Sequence, residues 1–250
     1  GDGDYEPATV VTRTLVVGKA DQSVTFPALA PVTYGDPAVS PAATASSGLA
    51  VIYTSSDPLV ASVSDNMIII NSAGTVTITA GQPGNDNYNA AADQTRELTV
   101  SKADQIISFN DLAGSVYGDP DFILTATSTS GLTVSYVSSN EAVATVDGSS
   151  VHITGAGEAV ITASQAGNEN YLPATDISRT LVVEKAAQTI AFDPFAVHTY
   201  GDPGFDPMAT ASSGLSISYT SSNPDVAVVS GGIIMIMGAG SAEITASQTG

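Results

Sequence analysis

Tyr117-Gly118-Asp119-Pro120 decides how this chain is read, because the same four residues stand at Tyr34-Gly35-Asp36-Pro37 and at Tyr200-Gly201-Asp202-Pro203. From position 34 to 117 to 200 the spacing is 83 residues each time. Working outward, Lys19-Ala20-Asp21-Gln22 returns as Lys102-Ala103-Asp104-Gln105 and as Lys185-Ala186-Ala187-Gln188. Gly48-Leu49 returns at Gly131-Leu132 and Gly214-Leu215, and Gly74 at Gly157 and Gly240, with no net insertion between copies. A fixed period of this length is the mark of a repeat array. Gly1 shares the phase of Gly84, Gly167 and Gly250. Residues 1–18 therefore read as the last strand of a preceding repeat, 19–101 and 102–184 as whole repeats, and 185–250 as a repeat lacking its last strand. Two accounts of the ends stand: a window cut from a longer array, which is favoured, or a donor-strand arrangement in which the tail of one chain completes the head of the next.

Composition excludes several classes of function. The 25 acids against 6 bases give a net charge of −19. Phosphate binding needs clustered Lys and Arg, so no nucleic-acid partner is expected. An anionic membrane surface would repel the chain, and no apolar run approaches the roughly 20 residues that span a bilayer. No signal peptide is visible, and the mid-repeat start leaves room for one upstream. Cysteine is absent, which rules out disulfides and thiol chemistry. The 43% hydrophobic content argues for packed cores rather than disorder, although a unit of this size is only marginally able to bury one.

Within the middle repeat the strand signals are short, β-branched and alternating, with Gly, Pro, Ser, Asn and Asp between them. The reading is Gln105 to Phe109, a Tyr117–Pro120 turn with Pro presetting its φ, Phe122 to Ser128, Leu132 to Val137, Val143 to Val146, Ser150 to Ile153, Gly157 to Ser164 and Asp176 to Val183. About seven strands per repeat, with turns every 8–12 residues, predict an all-β chain of tandem immunoglobulin-like β-sandwich domains. The link Val100-Ser101-Lys102-Ala103 is short, so an extended, stiff rod is expected, with neighbouring domains sharing stability.

The six basic residues are periodic: Arg13, Arg96 and Arg179, then Lys19, Lys102 and Lys185. They fit a strand-end or interdomain ion pair; the sharper alternative is an intramolecular isopeptide bond through the Lys. All nine Tyr are periodic too. A ring in the core with its hydroxyl on backbone suits them better than a ligand-binding patch.

The stretch Tyr136-Val137-Ser138-Ser139-Asn140-Glu141-Ala142-Val143-Ala144-Thr145-Val146, followed by Gly155 to Ala163, resembles the bacterial Ig-like (BIg2-like) repeats of surface adhesins. The Tyr-Gly-Asp-Pro turn and the Gly-Asn-x-Asn-Tyr loop, at Gly84 to Tyr88 and Gly167 to Tyr171, resemble the YGX/MBG-type repeats of giant secreted proteins, including gliding-motility adhesins of the Bacteroidetes type. The resemblance covers the whole chain. It implies an extracellular, repetitive protein on the bacterial cell surface, and no catalytic residue.

No chemistry competes with that reading. His152 and His198 differ in phase, and neither has a zinc- or triad-like neighbour. The acid shared by all three copies, Asp36, Asp119 and Asp202, is explained by its turn. Calcium is the one metal the sequence suggests: Asp2, Asp4, Asn85, Asp86, Asn87, Asn168, Glu169 and Asn170 place oxygen ligands in loops near a domain end. The same Asn residues also suit turn geometry, so both readings stay open, and no cofactor is required. The leading expectation is a structural stalk that holds an adhesive tip away from the cell. Two alternatives stand beside it: repeats that bind polysaccharide or other surfaces weakly and many times over, or accessory modules of a secreted glycan-degrading enzyme.

Overall fold

Alternation along Gly157–Ser164 sets the middle sandwich. Ala159, Ile161 and Ala163 face inward and are buried, while Glu158 and Val160 face out. The last strand, Ile177–Glu184, does the same with Leu181 and Val183. In the computed structural model, which describes residues 3–250, these two strands pair antiparallel from Gly157↔Val183 to Ala163↔Ile177. The sheet has four strands in the order Ser115–Val116, Ile177–Glu184, Gly157–Ser164, Ser135–Ser138. Ser115–Val116 joins parallel to the last strand, Ser115 opposite Val183. The last strand in sequence is thus interior to its sheet.

Opposite it lie Phe122–Ile123, Ser150–Ile153 and Ala144–Asp147, with Ile107–Ser108 paired to Thr127–Ser128. The core between them holds Ile107, Phe109, Leu124, Val151, Ile161 and Leu181. Each fully buried Leu or Ile of this kind contributes about 1.5–3 kcal/mol. The first sandwich repeats the plan, in the order Val32–Thr33, Gln94–Ser101, Gly74–Gly81, Ile52–Ser55, over a core of Val24, Phe26, Ile68, Ile78, Leu98 and Val100.

The third sandwich differs. Ser218–Ser221 pairs with Ile244–Ser247, and Ala227–Ser230 with Ile233–Ile236. Its buried hydrophobic residues are Ala227 and Ile234, while Phe195, Val197 and Tyr200 are exposed. Residues 5–19 are exposed throughout and carry no strand pairing.

Three local expectations need correction. Phe122 to Ser128 is not one strand: it breaks into two short strands with different partners. At the break the Ala126 N–H donates to the Tyr136 hydroxyl at 2.8 Å instead of to a neighbouring strand. Ser115–Val116, missed in sequence, is too short to show alternation. In the Tyr-Gly-Asp-Pro turn, Pro120 falls outside the four turn residues. Gly118 at φ 96° supplies the left-handed position, and the Asp119 N–H closes the turn on the Val116 carbonyl at 3.0 Å. Asp119 Oδ2 accepts the Val116 N–H at 2.8 Å, and Asp36 and Asp202 repeat this on Thr33 and Thr199. The turn is therefore of type II, built on Tyr-Gly and locked by Asp.

Candidate functional site

The residues that recur most faithfully meet where one sandwich joins the next. The strand Gln94–Ser101 runs out of the first sandwich, and Ala103 then bridges in parallel to Tyr171 of the middle one. The Gly-Asn-x-Asn-Tyr loop is folded by its own Asn. Asn168 Oδ1 accepts the N–H groups of Asn170 and Tyr171 at 2.8 and 2.9 Å, and Asn85 Oδ1 accepts those of Asn87 and Tyr88 at 2.8 and 3.0 Å. Gly167 has φ 75°, and a Cβ there would collide with the Tyr171 carbonyl, so only glycine fits. The Lys102 ammonium donates to the Asn168 carbonyl at 2.6 Å.

Held this way, the loop reaches back to the first sandwich. The Ala73 N–H donates to Asn170 Oδ1 at 2.8 Å. The Tyr171 ring meets Tyr34 edge-to-face, with centroids 5.5 Å apart and planes at 83°. One hydrogen bond and one aromatic pair therefore clasp the two sandwiches together.

Beside each loop lies a polar staple that sequence reasoning missed. Gln105, 6% exposed, donates to Gln165 Oε1 and to the Leu172 carbonyl, and accepts from the Ser130 hydroxyl. Gln22 and Gln82 repeat the arrangement with Ser47, and Gln188 and Gln248 with Ser213. Gln82, Gln165 and Gln248 share one phase of the 83-residue period, and that was the available signal.

The tyrosines at Tyr53 and Tyr136 have their rings against Phe26 and Phe109 and their hydroxyls on backbone of Pro41, Ala43 and Ala126. Arg179 lies on Asp111 at 2.9 Å and on the Phe109 carbonyl at 3.0 Å. Arg96 sits 5.9 Å above the Phe26 ring. The Lys102 partner is a backbone carbonyl, which gives the isopeptide alternative no side-chain acceptor. His152 pairs with Asp121 at 2.7 Å on the surface, and His198 stacks on Phe205.

Of the loop residues singled out for calcium, Asp2 lies outside the described residues. Asp4, Asp86 and Glu169 are exposed. The Asn87 carbonyl accepts the Ala20 N–H, and the Asn170 side chain is on Ala73. Two N–H groups already occupy each of Asn85 Oδ1 and Asn168 Oδ1, which uses both lone pairs of each oxygen. Among the described residues no group of three or more His, Cys, Asp or Glu is placed to hold a metal ion. No helix among them is long and apolar enough to cross a membrane.

The chain is an all-β array of tandem immunoglobulin-like sandwiches. No family model matches it, and no curated protein matches it. Among solved structures it is similar to the Drosophila N-cadherin EC1-3 fragment at 12% identity, over 66% of this chain and 68% of that one, with a TM-score of 0.28. It is similar to human mucin-like protocadherin EC1-2 at 9% identity, over 65% of this chain and 98% of that one, with a TM-score of 0.31. It is also similar to Sidekick-1 immunoglobulin domains 1-5 at 13% identity, over 91% of this chain and 58% of that one, with a TM-score of 0.24. At these scores the likenesses carry no inference about ligand or partner.

Proposed function

We propose that the chain is a length of stalk from a large secreted bacterial surface adhesin, in which repeated sandwiches extend an adhesive tip from the cell, as in gliding-motility adhesins. The clasp at the joint carries the reading. Tyr34 and Ala73 on one side and Asn170 and Tyr171 on the other sit at fixed phases of the repeat, so a sequence that repeats also repeats its joint. Repetition of one joint gives a regular, stiff fibre. A net charge of −19 keeps neighbouring fibres apart. The partners in this role are the neighbouring repeats, and it calls for no reaction and no cofactor. Calcium is no part of this reading, because two N–H groups already take each of the Asn85 and Asn168 side-chain oxygens, and chelation tests for it separately. Multivalent binding of polysaccharide through the periodic tyrosines is the weaker reading, because the Tyr53 and Tyr136 hydroxyls are spent on backbone.

Electron microscopy of the intact protein on cells tests the proposal. Long thin fibres with a regular bead spacing support it. Compact particles with the repeats folded against another domain would overturn it.

A further inference from the structure

The middle sandwich carries an open groove of about 400 Å³. Its walls are two legs of chain, residues 109–115 and 119–125, that lead into and out of the Tyr-Gly-Asp-Pro turn. Phe109, Leu112, Phe122 and Leu124, buried or half-buried, make the groove apolar inside. Asp111 and Asp119 stand exposed on it, and the exposed Asp121 adjoins it. Among the described residues, the N–H and C=O groups of Asn110 to Gly114 make no backbone hydrogen bond. The first leg is therefore an unpaired edge of chain running beside an apolar trough.

The same place in the other two repeats is built differently, and each difference blocks it. At the phases of Asn110, Gly114 and Leu124 the first repeat has Pro27, Pro31 and Pro41. The third repeat has Pro194 and Pro207 at the phases of Asp111 and Leu124. Proline lacks the N–H that an added strand would bond, and it is a usual means of blunting an exposed edge. The middle repeat has no proline at any of these phases.

Charge changes in step with the prolines. Asp111 stands where the other repeats have Ala28 and Pro194, and Asp121 where they have Ala38 and Gly204. Arg179 lies on Asp111 Oδ1, the Val116 N–H donates to Asp119 Oδ2, and His152 Nδ1 meets Asp121 Oδ1. The second oxygen of each carboxylate has no partner among the described residues. Three acids thus face Arg179 and His152 as the basic groups beside them, with acceptor capacity to spare.

We propose that this groove binds one extended peptide segment carrying Lys or Arg, added as a strand along Asn110 to Gly114. Main-chain hydrogen bonds to the unpaired leg supply affinity. Successive side chains of a strand point to opposite sides, so apolar residues facing the trough alternate with basic residues facing Asp111, Asp119 and Asp121. Charge complementarity then selects the partner. With 6 bases against 25 acids, this chain is a poor source of such a segment, so the occupant is a basic segment of another protein. The site does not depend on the stalk reading: it makes the middle repeat a receptor, whatever the array as a whole does.

Selection of phage-displayed random heptapeptides on the natural 250-residue chain tests this. Sequences that alternate apolar residues with Lys or Arg should be enriched, and a synthetic peptide of the enriched sequence should bind one to one. The same residues in scrambled order, with charge kept and alternation lost, should not bind. Asn110→Pro/Gly114→Pro brings in the prolines of the first repeat. The Asn110 N–H has no backbone bond to lose, and a Cβ at Gly114 meets nothing closer than 3.7 Å, so the sandwich keeps its fold. This variant and Asp111→Asn/Asp121→Asn should each bind the peptide roughly tenfold more weakly, a loss of about 1.4 kcal/mol, with Tm unchanged. No enrichment, enrichment of acidic sequences, equal binding of the scrambled peptide, or undiminished binding by either variant would overturn the proposal.

Discussion

Loosening the joint at Tyr34, Asn170 and Tyr171 should turn a stiff link into a hinge by a predictable amount. The Ala73–Asn170 hydrogen bond is neutral and part-buried, which puts its net value at about 1 kcal/mol. The Tyr34–Tyr171 pair has edge-to-face geometry, worth about 1 kcal/mol beyond burial. Together, about 2 kcal/mol against an RT of about 0.6 kcal/mol leaves roughly 3% of joints open. Removing both terms with Asn170→Ala and Tyr171→Leu should bring open and closed joints to comparable populations. The chain has no cysteine, so Thr54→Cys and Val137→Cys, on exposed faces of the first and middle sandwiches, take a dye pair for single-molecule energy transfer. The intact joint should give one narrow distance, and the double variant a broad distribution. In a cycle of Tyr34→Leu and Tyr171→Leu, the coupling should be about 1 kcal/mol. A narrow distribution in the double variant, or a coupling near zero, would refute the clasp.

Three further outcomes follow from the same contacts. Gln105→Leu removes one hydrogen bond each from the Ser130 hydroxyl, Gln165 Oε1 and the Leu172 carbonyl, of which the first two keep other partners, and should cost about 1–3 kcal/mol in urea unfolding. Gly167→Ala forces a left-handed φ and a collision with the Tyr171 carbonyl; it should cost about 2 kcal/mol and broaden the same distance distribution. Addition of a chelator should leave Tm unchanged by calorimetry, because the Asn85 and Asn168 oxygens are already taken by N–H groups; a fall of several degrees would return those loops to calcium.

The period and the alternation made the strands Gly157–Ser164 and Ile177–Glu184 legible before any coordinates, since inward Ala159, Ile161 and Leu181 follow a period of two. The interior place of Ile177–Glu184 in its sheet was not legible, because its parallel partner Ser115–Val116 is only two residues long. The break within Phe122 to Ser128 was hidden as well. It depends on the Tyr136 hydroxyl replacing a strand partner, a contact between residues that no local pattern links. The Asn of the loop were correctly seen as oxygen-bearing and turn-forming. Their reach to Ala73, and that of Tyr171 to Tyr34, join different phases of the repeat across a domain boundary, which only the folded chain brings together.

The parallel pairing of Ser115–Val116 with Val183–Glu184 also sets how a sandwich answers a pull. In the proposed fibre, tension would draw the leading end of the unit one way and the trailing end the other. The two strands therefore slide past each other, with their hydrogen bonds loaded together rather than opened one by one. Ile107–Ser108, paired antiparallel to Thr127–Ser128, peels first and at low load. Rupture of the parallel pair leaves the last strand held by its antiparallel pairing to Gly157–Ser164 alone, and the sheet opens from that edge. Each unit thus behaves as a fuse: it holds its length up to a threshold, then releases roughly 280 Å of chain at about 3.4 Å per residue, sparing its neighbours until the load builds again.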